Sequence, residues 1–462
     1  MRWMKSFLCL LVLSFPVCAK EGKPNILFIA IDDLRPELGC YGAKHIHSPN
    51  IDKLASGATL FEQAYCSVPT CGASRASLMT GVRPTPSRFL TYQAVAEKEV
   101  PWAVAMNQHF KSNGYRTLSY GKVFHSAKDW RKGWSENPWR SKKPGHMLAE
   151  NRRNEQRNIQ RGTPWESADQ PDDAYQDGEI AAEAIKQLKQ LAKKSDEPFF
   201  LAVGFKKPHL PFVAPRKYWD LYPLEKISLP KNYRLPEKAP AAAKYSWGEL
   251  RNYEGIPKKG LVTELQARKL IQGYYACVSF VDAQVGRVLD ALKEQGLDQN
   301  TVVVLWGDHG WNLGDHTYWC KHTVYESSLH IPLIVRMPGI ANGKSIAAKT
   351  ETVDIYPSLC ELSGIPVPET TEGQSFVSRL RNPDQASSDT AYSRYQRGDS
   401  IREGDFRYSE YRDRKGKVTG RMLYDHAKDP LENKNIVDDP DQKERVRELA
   451  QKLKAIKSST RK

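Results

Sequence analysis

Four apolar segments restrict the fold of this chain more than any other feature, because each ends abruptly in charged or imidazole side chains. They cover residues 24–34, 116–125, 198–212 and 301–311. Helical periodicity appears between or beside them, at residues 179–194 and 273–295. This alternation is typical of an α/β protein with a large, mainly parallel sheet that is flanked by helices and buried on both faces. Ligands of such sheets bind beyond the carboxyl ends of the strands, so we expect one shared site there.

Residues 126–178 depart from the pattern, and we interpret them as an insertion over the site. The stretch holds Trp130, Trp134, Trp139 and Trp165 among many arginines and lysines. Aromatic faces suit stacking on sugars, and cations suit anionic groups. A loop that is simply packed down by its tryptophans explains the same composition equally well.

The character of the chain changes again after about residue 364. Residues 401–413 and 420–430 predict paired strands of an antiparallel hairpin, and 441–457 predict a final amphipathic helix. We therefore divide the chain into a catalytic domain, residues 20–364, and a small C-terminal subdomain, residues 365–462.

Residues 1–19 have the pattern of a secretory signal peptide, with a basic start, an apolar stretch and a cleavage site at Val17-Cys18-Ala19. No later stretch is long enough to span a membrane. The remaining cysteines are scattered without a dense disulfide pattern, and the chain has no Asn-x-Ser/Thr sequon. These features indicate a secreted or periplasmic protein of bacterial origin.

The formal net charge of the 462-residue chain is +15. So basic an exported protein suggests an anionic partner. We expect no nucleic acid outside the cell, which makes a sulfated or carboxylated polysaccharide the better candidate. A surface of scattered, solvated charge is the alternative.

The carboxylates at the strand ends predict a metal site. Asp32 and Asp33 lie near the end of the first segment and Asp308 lies near the end of the last. Three acidic groups at one sheet edge would repel one another unless a cation lay between them, and a hard divalent ion such as calcium takes oxygen ligands. One member of the Asp32–Asp33 pair could instead cap a helix. His309 leaves the identity of the metal open, because imidazole is not a preferred calcium ligand.

Basic side chains accompany these carboxylates on predicted loops at or after strand ends. They are Arg75, Lys122, His125, His209 and Lys321. A lone histidine is more often structural than catalytic, but two histidines and three cations beside a metal would bind a tetrahedral oxyanion. The set favours phosphoryl or sulfuryl transfer.

Cys71 directly precedes a helix-like run, residues 74–80. The positive end of the helix dipole is expected to lower the pKa of this thiol and to favour a thiolate nucleophile. A disulfide partner, a metal ligand or a residue that is converted after translation would fit the same position.

The stretch from Cys71 to Arg75 resembles the signature of the type I sulfatases, Cys-x-Pro/Ala-x-Arg, and is followed by "SLMTG". The resemblance runs over nearly the whole length and sharpens toward the iduronate-2-sulfatase branch. The stretches that carry it are "DDLRPELGCYG", "SPNIDKLASGATLFEQAYC", "GKVFH", "KPHLPF", "GDHGWNLGDH", "HIPLIVRMPG", "SIREGDFRY" and "LYDHAKDPLENKN".

This resemblance implies an alkaline-phosphatase-like sulfatase fold and hydrolysis of a sulfate ester on a sulfated sugar. Cys71 would be oxidised to formylglycine, whose hydrate is the nucleophile. The implied ligands of one divalent cation, most commonly calcium, are Asp32, Asp33, Asp308, His309 and the modified Cys71. The implied catalytic groups are Arg75 and Lys122 on the diol and sulfate, His125 for the proton transfers of the diol, and His209 and Lys321 by the leaving oxygen.

Ala73 stands where many members of the family have proline. The partner that matures Cys71 is therefore either a formylglycine-generating enzyme or an anaerobic sulfatase-maturing enzyme. Two competing functions remain open at this point. One is a phosphatase or phosphonate hydrolase of the same superfold with an unmodified Cys71, and the other is a non-catalytic binder of sulfated glycans.

Overall fold

The computed structural model describes residues 22–156, 161–194, 197–338, 343–385 and 389–461. The predicted signal peptide lies outside these ranges. None of the described helices is long and apolar enough to cross a membrane.

The strands form one large sheet, one small antiparallel sheet and two short pairs. In chain order they are β1 (Asn25–Ile31), β2 (Thr59–Tyr65), β3 (Arg116–Gly121), β4 (Trp165–Ala168), β5 (Phe199–Phe205), β6 (Phe212–Pro215), β7 (Thr301–Gly307), β8 (Asn312–Leu313), β9 (Trp319–Cys320), β10 (His330–Arg336), β11 (Lys344–Ile346), β12 (Thr350–Glu351), β13 (Thr390–Tyr395), β14 (Gly398–Glu403), β15 (Phe406–Arg412) and β16 (Val418–Asp425).

The large sheet has the order β11-β2-β10-β7-β1-β5-β3, and β12 also pairs with β2. Strands β3, β5, β1 and β7 are parallel neighbours, whereas β10 is antiparallel to both β7 and β2. Strand β2 therefore runs in the same direction as β1 and β7. The carboxyl ends of five strands, β1, β2, β3, β5 and β7, meet at one edge of the sheet.

The α-helices occupy the connections between strands. They are α1 (Pro49–Ser56), α2 (Cys71–Thr80), α3 (Ala96–Glu99), α4 (Met106–Ser112), α5 (Ala149–Gln156), α6 (Gln176–Leu191), α7 (Arg216–Trp219), α8 (Glu264–Glu294), α9 (Glu326–Leu329), α10 (Ile355–Leu362), α11 (Val377–Arg381) and α12 (Lys443–Ser459). One group packs around α8 with α1, α6 and α7, and another joins α2 to α4 and α10.

The main core lies in the central strands, where every residue of β5 and β7 is buried. All of β1 except Asn25 is buried as well. Burial on both faces explains why these strands are continuous apolar runs without alternation. The predicted fold class, a mainly parallel α/β sheet followed by a small antiparallel sheet, is confirmed.

The C-terminal sheet has the order β13-β14-β15-β16 and is antiparallel throughout. Helix α12 packs on β14 and β15, where Leu449 and Leu453 join a small apolar cluster with Ile401, Tyr408 and Leu423. The sheet also abuts the end of β2, because the Arg394 amide donates to the Ser67 carbonyl at 2.8 Å.

The four tryptophans of residues 126–178 pack into the protein instead of facing a substrate pocket. Trp134 is buried, and Trp130, Trp139 and Trp165 pack against the main core. This packing favours the alternative, a loop packed down by its tryptophans, over rings that stack on a sugar.

Candidate active site

The polar groups of the site come from the carboxyl ends of the strands and from the first turn of α2. Asp32 and Asp33 follow β1, Asp308 follows β7, and Lys122 follows β3. Arg75 reaches the same edge because β2, which leads into α2, is parallel to these strands.

We call the buried and partly buried charges at this edge the inner cluster. It consists of four carboxylates and three cations, namely Asp32, Asp33, Asp308, Glu249, Arg75, Lys122 and Lys321. The sequence predicted every member except Glu249.

Arg75 is fully buried and joins three of the strand ends. Its Nε donates to Asp308 Oδ2 at 2.9 Å and one terminal nitrogen donates to Asp32 Oδ1 at 3.2 Å. The other terminal nitrogen donates to the carbonyls of Lys122 and Val123. The guanidinium therefore fixes β1, β3 and β7 relative to one another.

Asp32 and Asp33 have different partners although they are adjacent. Asp32 pairs with Lys122 as well as with Arg75. Burial would raise its pKa, but these two cations hold it well below the ordinary value. Asp33 accepts from Lys321 Nζ at 2.9 Å, and its own amide donates to Asp308 Oδ1 at 2.9 Å.

Cys71 is the first residue of α2 and is only 2% exposed. Its Sγ lies 3.3 Å from His309 Nε2 and 3.6 Å from Asp33 Oδ1. Burial and the charge of Asp32 raise its pKa well above the ordinary value. The expectation of a lowered thiol pKa is wrong, because burial among carboxylates outweighs the helix dipole.

Ligand atoms suited to one metal ion converge around Cys71. Those of Asp32, Cys71, Asp308 and His309 all lie within 4.8 Å of one another, and a second overlapping group consists of Asp32, Asp33, Cys71 and His209. Burial and the neighbouring charges of Asp32, Glu249 and Asp308 raise the pKa of Asp33 well above its ordinary value, against the effect of Lys321. Negative charge is thus in excess here, so a divalent cation fits these residues.

His209 lies beside Lys321, and Glu249 joins the two side chains. The Nε2 atom of His209 is 3.2 Å from Glu249 Oε1 and 3.8 Å from Asp33 Oδ2, while Lys321 Nζ is 3.0 Å from Glu249 Oε2. Burial and the charge of Lys321 lower the pKa of His209 well below its ordinary value. Glu249 is the site residue that sequence reasoning missed, because it lies on a loop without a strand end or periodic pattern.

His125 lies at the pocket, with its ring 5.8 Å from that of Tyr92 between centroids. Its Nδ1 is buried and accepts or donates no hydrogen bond within the described part of the chain. Burial and the charge of Lys122 lower the pKa of His125 to about 4. The imidazole is therefore neutral at physiological pH and can accept a proton.

A cavity of about 610 Å³ opens above the inner cluster. Its floor includes Asp32, Cys71, Lys122, His125, His209, Glu249 and Lys321. We call the side chains above this floor the outer wall: Tyr92, Arg161, Gln176, Lys206, Asn252 and His322. Arg161 and Gln176, together with Gly145, belong to the segment 126–178 that was interpreted as an insertion over the site.

A larger groove of about 1370 Å³ lies elsewhere, between residues 35–46 and 430–432. It contains Glu326 and Glu432, but the buried Arg407 pairs with both carboxylates. The chemistry of the molecule therefore belongs to the smaller cavity above the inner cluster.

Comparison with known proteins identifies the family to which this chain belongs. The family model described as sulfatase matches residues 24–365, and a model described as N-sulphoglucosamine sulphohydrolase, C-terminal, matches residues 314–459. The chain belongs to the sulfatase family. It is a sulfuric ester hydrolase of the type I class, and the predicted family resemblance is confirmed.

Individual relatives place the enzyme near the iduronate 2-sulfatases. It is 32% identical to iduronate 2-sulfatase of Mus musculus, over 90% of this chain and 91% of that protein. It is 33% identical to a sulfatase of Formosa agariphila, over 89% of this chain and 82% of that protein.

A solved phosphonate monoester hydrolase of Agrobacterium radiobacter has the same fold. It superposes with a TM-score of 0.77 and 23% identity, covering 95% of this chain and 96% of that one. At that level of identity the likeness supports the fold only.

Proposed function

We propose that this sulfatase removes a sulfate group from a sulfated sugar that carries further negative charge, with a nucleophile derived from Cys71. The position of Cys71 carries the proposal. Its Sγ lies 3.6 Å from Asp33 and 3.3 Å from His309, and burial with the charge of Asp32 raises the pKa of the thiol well above its ordinary value, which disfavours a thiolate nucleophile. A residue with this surrounding is better suited to conversion into formylglycine than to direct thiolate attack.

The hydrated aldehyde would supply an oxygen nucleophile and, after sulfate transfer, a second hydroxyl whose deprotonation expels sulfate. A cysteine thiol cannot make that elimination. Lys122 and Arg75 would bind the diol and the sulfate oxygens, and their shared contact with Asp32 beside Cys71 supports this role. His125 is neutral, and its Nδ1 has no hydrogen-bond partner within the described part of the chain. It would therefore take the proton that the diol loses.

His209 and Lys321 would face the oxygen that leaves with the sugar. Asp33 and Glu249 hold the pKa of Lys321 well above its ordinary value although burial opposes its charge. Lys321 thus keeps a proton, and His209 adds a second nitrogen on the same side.

A single divalent cation, with calcium as the candidate, would bind to Asp32, Asp33, Asp308, His309 and residue 71. Four carboxylates and three cations leave the inner cluster with one excess negative charge. A divalent ion would convert this to one positive charge, which matches the single negative charge of a sulfate monoester. The ion would act as a Lewis acid on the sulfate and the nucleophile.

The similarity to known proteins and the sequence itself support three further parts of the proposal, namely the substrate, the cellular location and the maturation enzyme. The similarity to iduronate 2-sulfatase supports a sulfated glycan or oligosaccharide substrate, and the basic net charge supports one with a uronate. The signal-like start supports a secreted or periplasmic location, and the signature from Cys71 to Arg75 supports maturation by a formylglycine-generating or anaerobic sulfatase-maturing enzyme.

Mass spectrometry of the peptide that contains Cys71, combined with hydrolysis assays, tests the proposal. We expect formylglycine in the active protein, hydrolysis of 4-nitrophenyl sulfate well above that of 4-nitrophenyl phosphate, and loss of turnover in Cys71→Ala. Elemental analysis should find one calcium per chain. Full activity from a chain with an unmodified Cys71 would support the phosphatase or phosphonate hydrolase instead, and binding of sulfated glycan without turnover would support the binder.

A further inference from the structure

Among the lysines that line the cavity, Lys206 differs from Lys122, Lys207 and Lys321 in having no acceptor within the described part of the chain. Lys122 and Lys321 pair with carboxylates of the inner cluster, and Lys207 Nζ donates to the carbonyls of His209 and Pro211. Within the described part of the chain, no oxygen accepts a hydrogen bond from Lys206 Nζ. The side chain is half-buried and lines the cavity. Its ammonium group is therefore available to a ligand.

The backbone holds Lys206 rigidly next to the sulfate-binding end of the pocket. It directly follows β5, whose Gly204 carbonyl accepts from the Lys122 amide at 2.7 Å. A Cβ on Gly204 would lie 2.2 Å from the Lys122 carbonyl carbon, so only glycine permits this approach of β3 and β5. The Lys206 amide donates to the buried Asp177 Oδ1 at 2.8 Å. Lys206 is thus a fixed neighbour of Lys122.

The surroundings of Lys206 favour an anion. Burial lowers its pKa, and the nearby positive charges of Lys207, Lys122 and Arg140 act in the same direction against Asp177. An incoming anionic group would relieve this unfavourable charge. The cavity of about 610 Å³ is larger than a sulfate group needs and has room for a sugar around it.

We propose that Lys206 is a specificity-determining residue that binds a second anionic group of the substrate, a carboxylate or a further sulfate on the sugar, beside the sulfate that is removed. The proposal rests on the proposed function, because it assumes a sugar sulfate in this cavity. It assigns the preference for charged substrates to one side chain of the outer wall.

The test compares wild type, Lys206→Gln and Lys206→Arg on four substrates. They are 4-nitrophenyl sulfate, a 2-O-sulfated uronate disaccharide, its carboxyl-reduced form, and a uronate-free disaccharide with two sulfates. Lys132→Gln is the matched control, since it removes the same charge from an exposed residue that does not line the cavity. Thermal denaturation should give the same midpoint for all variants, because Asp177 binds only the backbone of Lys206.

We expect Lys206→Gln to lower kcat/KM by about tenfold, mostly through KM, for the substrate whose second anion binds there. The loss for 4-nitrophenyl sulfate and for the carboxyl-reduced sugar should stay below about twofold. Lys206→Arg should restore most of the activity. Whether the uronate or the disulfated sugar is affected identifies the group that Lys206 binds.

An equal loss on all four substrates would overturn the proposal, because Lys206 would then act on the reacting sulfate itself. An equal loss from Lys132→Gln would overturn it too, since the effect would come from net charge alone. Failure of the proposed function is distinguishable, because wild type would then hydrolyse 4-nitrophenyl sulfate but none of the sugar sulfates.

Discussion

The inner cluster and the outer wall of the same pocket differ in how their charges are satisfied. Every charge of the inner cluster is paired within the protein, as in the contact of Arg75 with Asp32 and Asp308, and all of them except the partly buried Glu249 are buried. On the outer wall, Lys206 is half-buried and binds no described acceptor. Under the two proposals, the first region would carry the chemistry and the second would select the substrate. Changes in the two regions should therefore have different signatures.

The largest effect is expected from Asp308→Asn in the inner cluster. The substitution removes a proposed metal ligand and leaves Arg75 with one fewer buried partner. We expect loss of the metal, a decrease in activity of about a thousandfold or more, and destabilisation of about 3 kcal/mol. Elemental analysis measures the metal content, kinetics measures the activity, and chemical denaturation measures the stability.

Asp315→Asn is the matched control for that variant. Asp315 is another buried carboxylate, paired with Arg35 at 2.8 Å, but it lies outside the inner cluster. It should destabilise the protein without removing the metal. A fully active Asp308→Asn enzyme that retains its metal would contradict the assignment.

His209→Gln tests the side of the pocket that faces the leaving group. A sugar alkoxide leaves poorly and needs a proton, whereas 4-nitrophenolate leaves readily without one. We expect a loss of about a hundredfold on a sugar sulfate and a much smaller loss on 4-nitrophenyl sulfate. Equal losses would mean that Lys321 alone supplies the proton and that His209 only shapes the pocket.

Glu249→Gln should have an intermediate effect. The amide keeps the shape of the side chain but loses the charge that bridges His209 and Lys321. We expect kcat on a sugar sulfate to fall about tenfold with little change in KM. An unchanged kcat would show that Asp33 is sufficient to hold both groups.

The smallest effect is expected in the pH profile of kcat/KM, whose acid limb should be displaced to lower pH. Burial and Lys122 lower the pKa of His125 to about 4, so the folded enzyme keeps this imidazole neutral as the pH falls below the ordinary value of 6.5. Activity that needs neutral His125 should persist to about pH 4 and disappear below it. A kcat/KM profile measures this limb, and His125→Gln should abolish it. An acid limb near pH 6.5 that vanishes in His125→Gln would contradict the lowered pKa.

The sequence predicted those parts of the site in which charged side chains directly follow a strand. The apolar runs before Asp32, Lys122 and Asp308 could be recognised because a strand buried on both faces needs no alternation. The antiparallel direction of β10 was not predicted, since strand direction depends on pairing with distant β7 and β2.

Residues that reach the site from irregular segments escaped prediction. Glu249 lies about forty residues after His209, with no periodic pattern around it. Lys206 was visible at the end of β5, but its lack of a partner depends on the positions of all neighbouring side chains. The raised pKa of Cys71 was missed because burial is a tertiary property that the local helix dipole does not reveal.

The burial of α2 has a consequence for the order of events during biosynthesis. Every residue of this helix is buried, and a Cβ on Gly72 would lie 2.0 Å from the Tyr92 carbonyl oxygen, so the segment is closely covered. Cys71 is reachable only through the cavity in the folded protein, so an enzyme that oxidises it would act more readily before α2 is covered. The proposed conversion of Cys71 would therefore compete in time with folding of the chain, and a molecule that folded first would keep a thiol at this position. Slower folding during expression should raise the fraction of active protein.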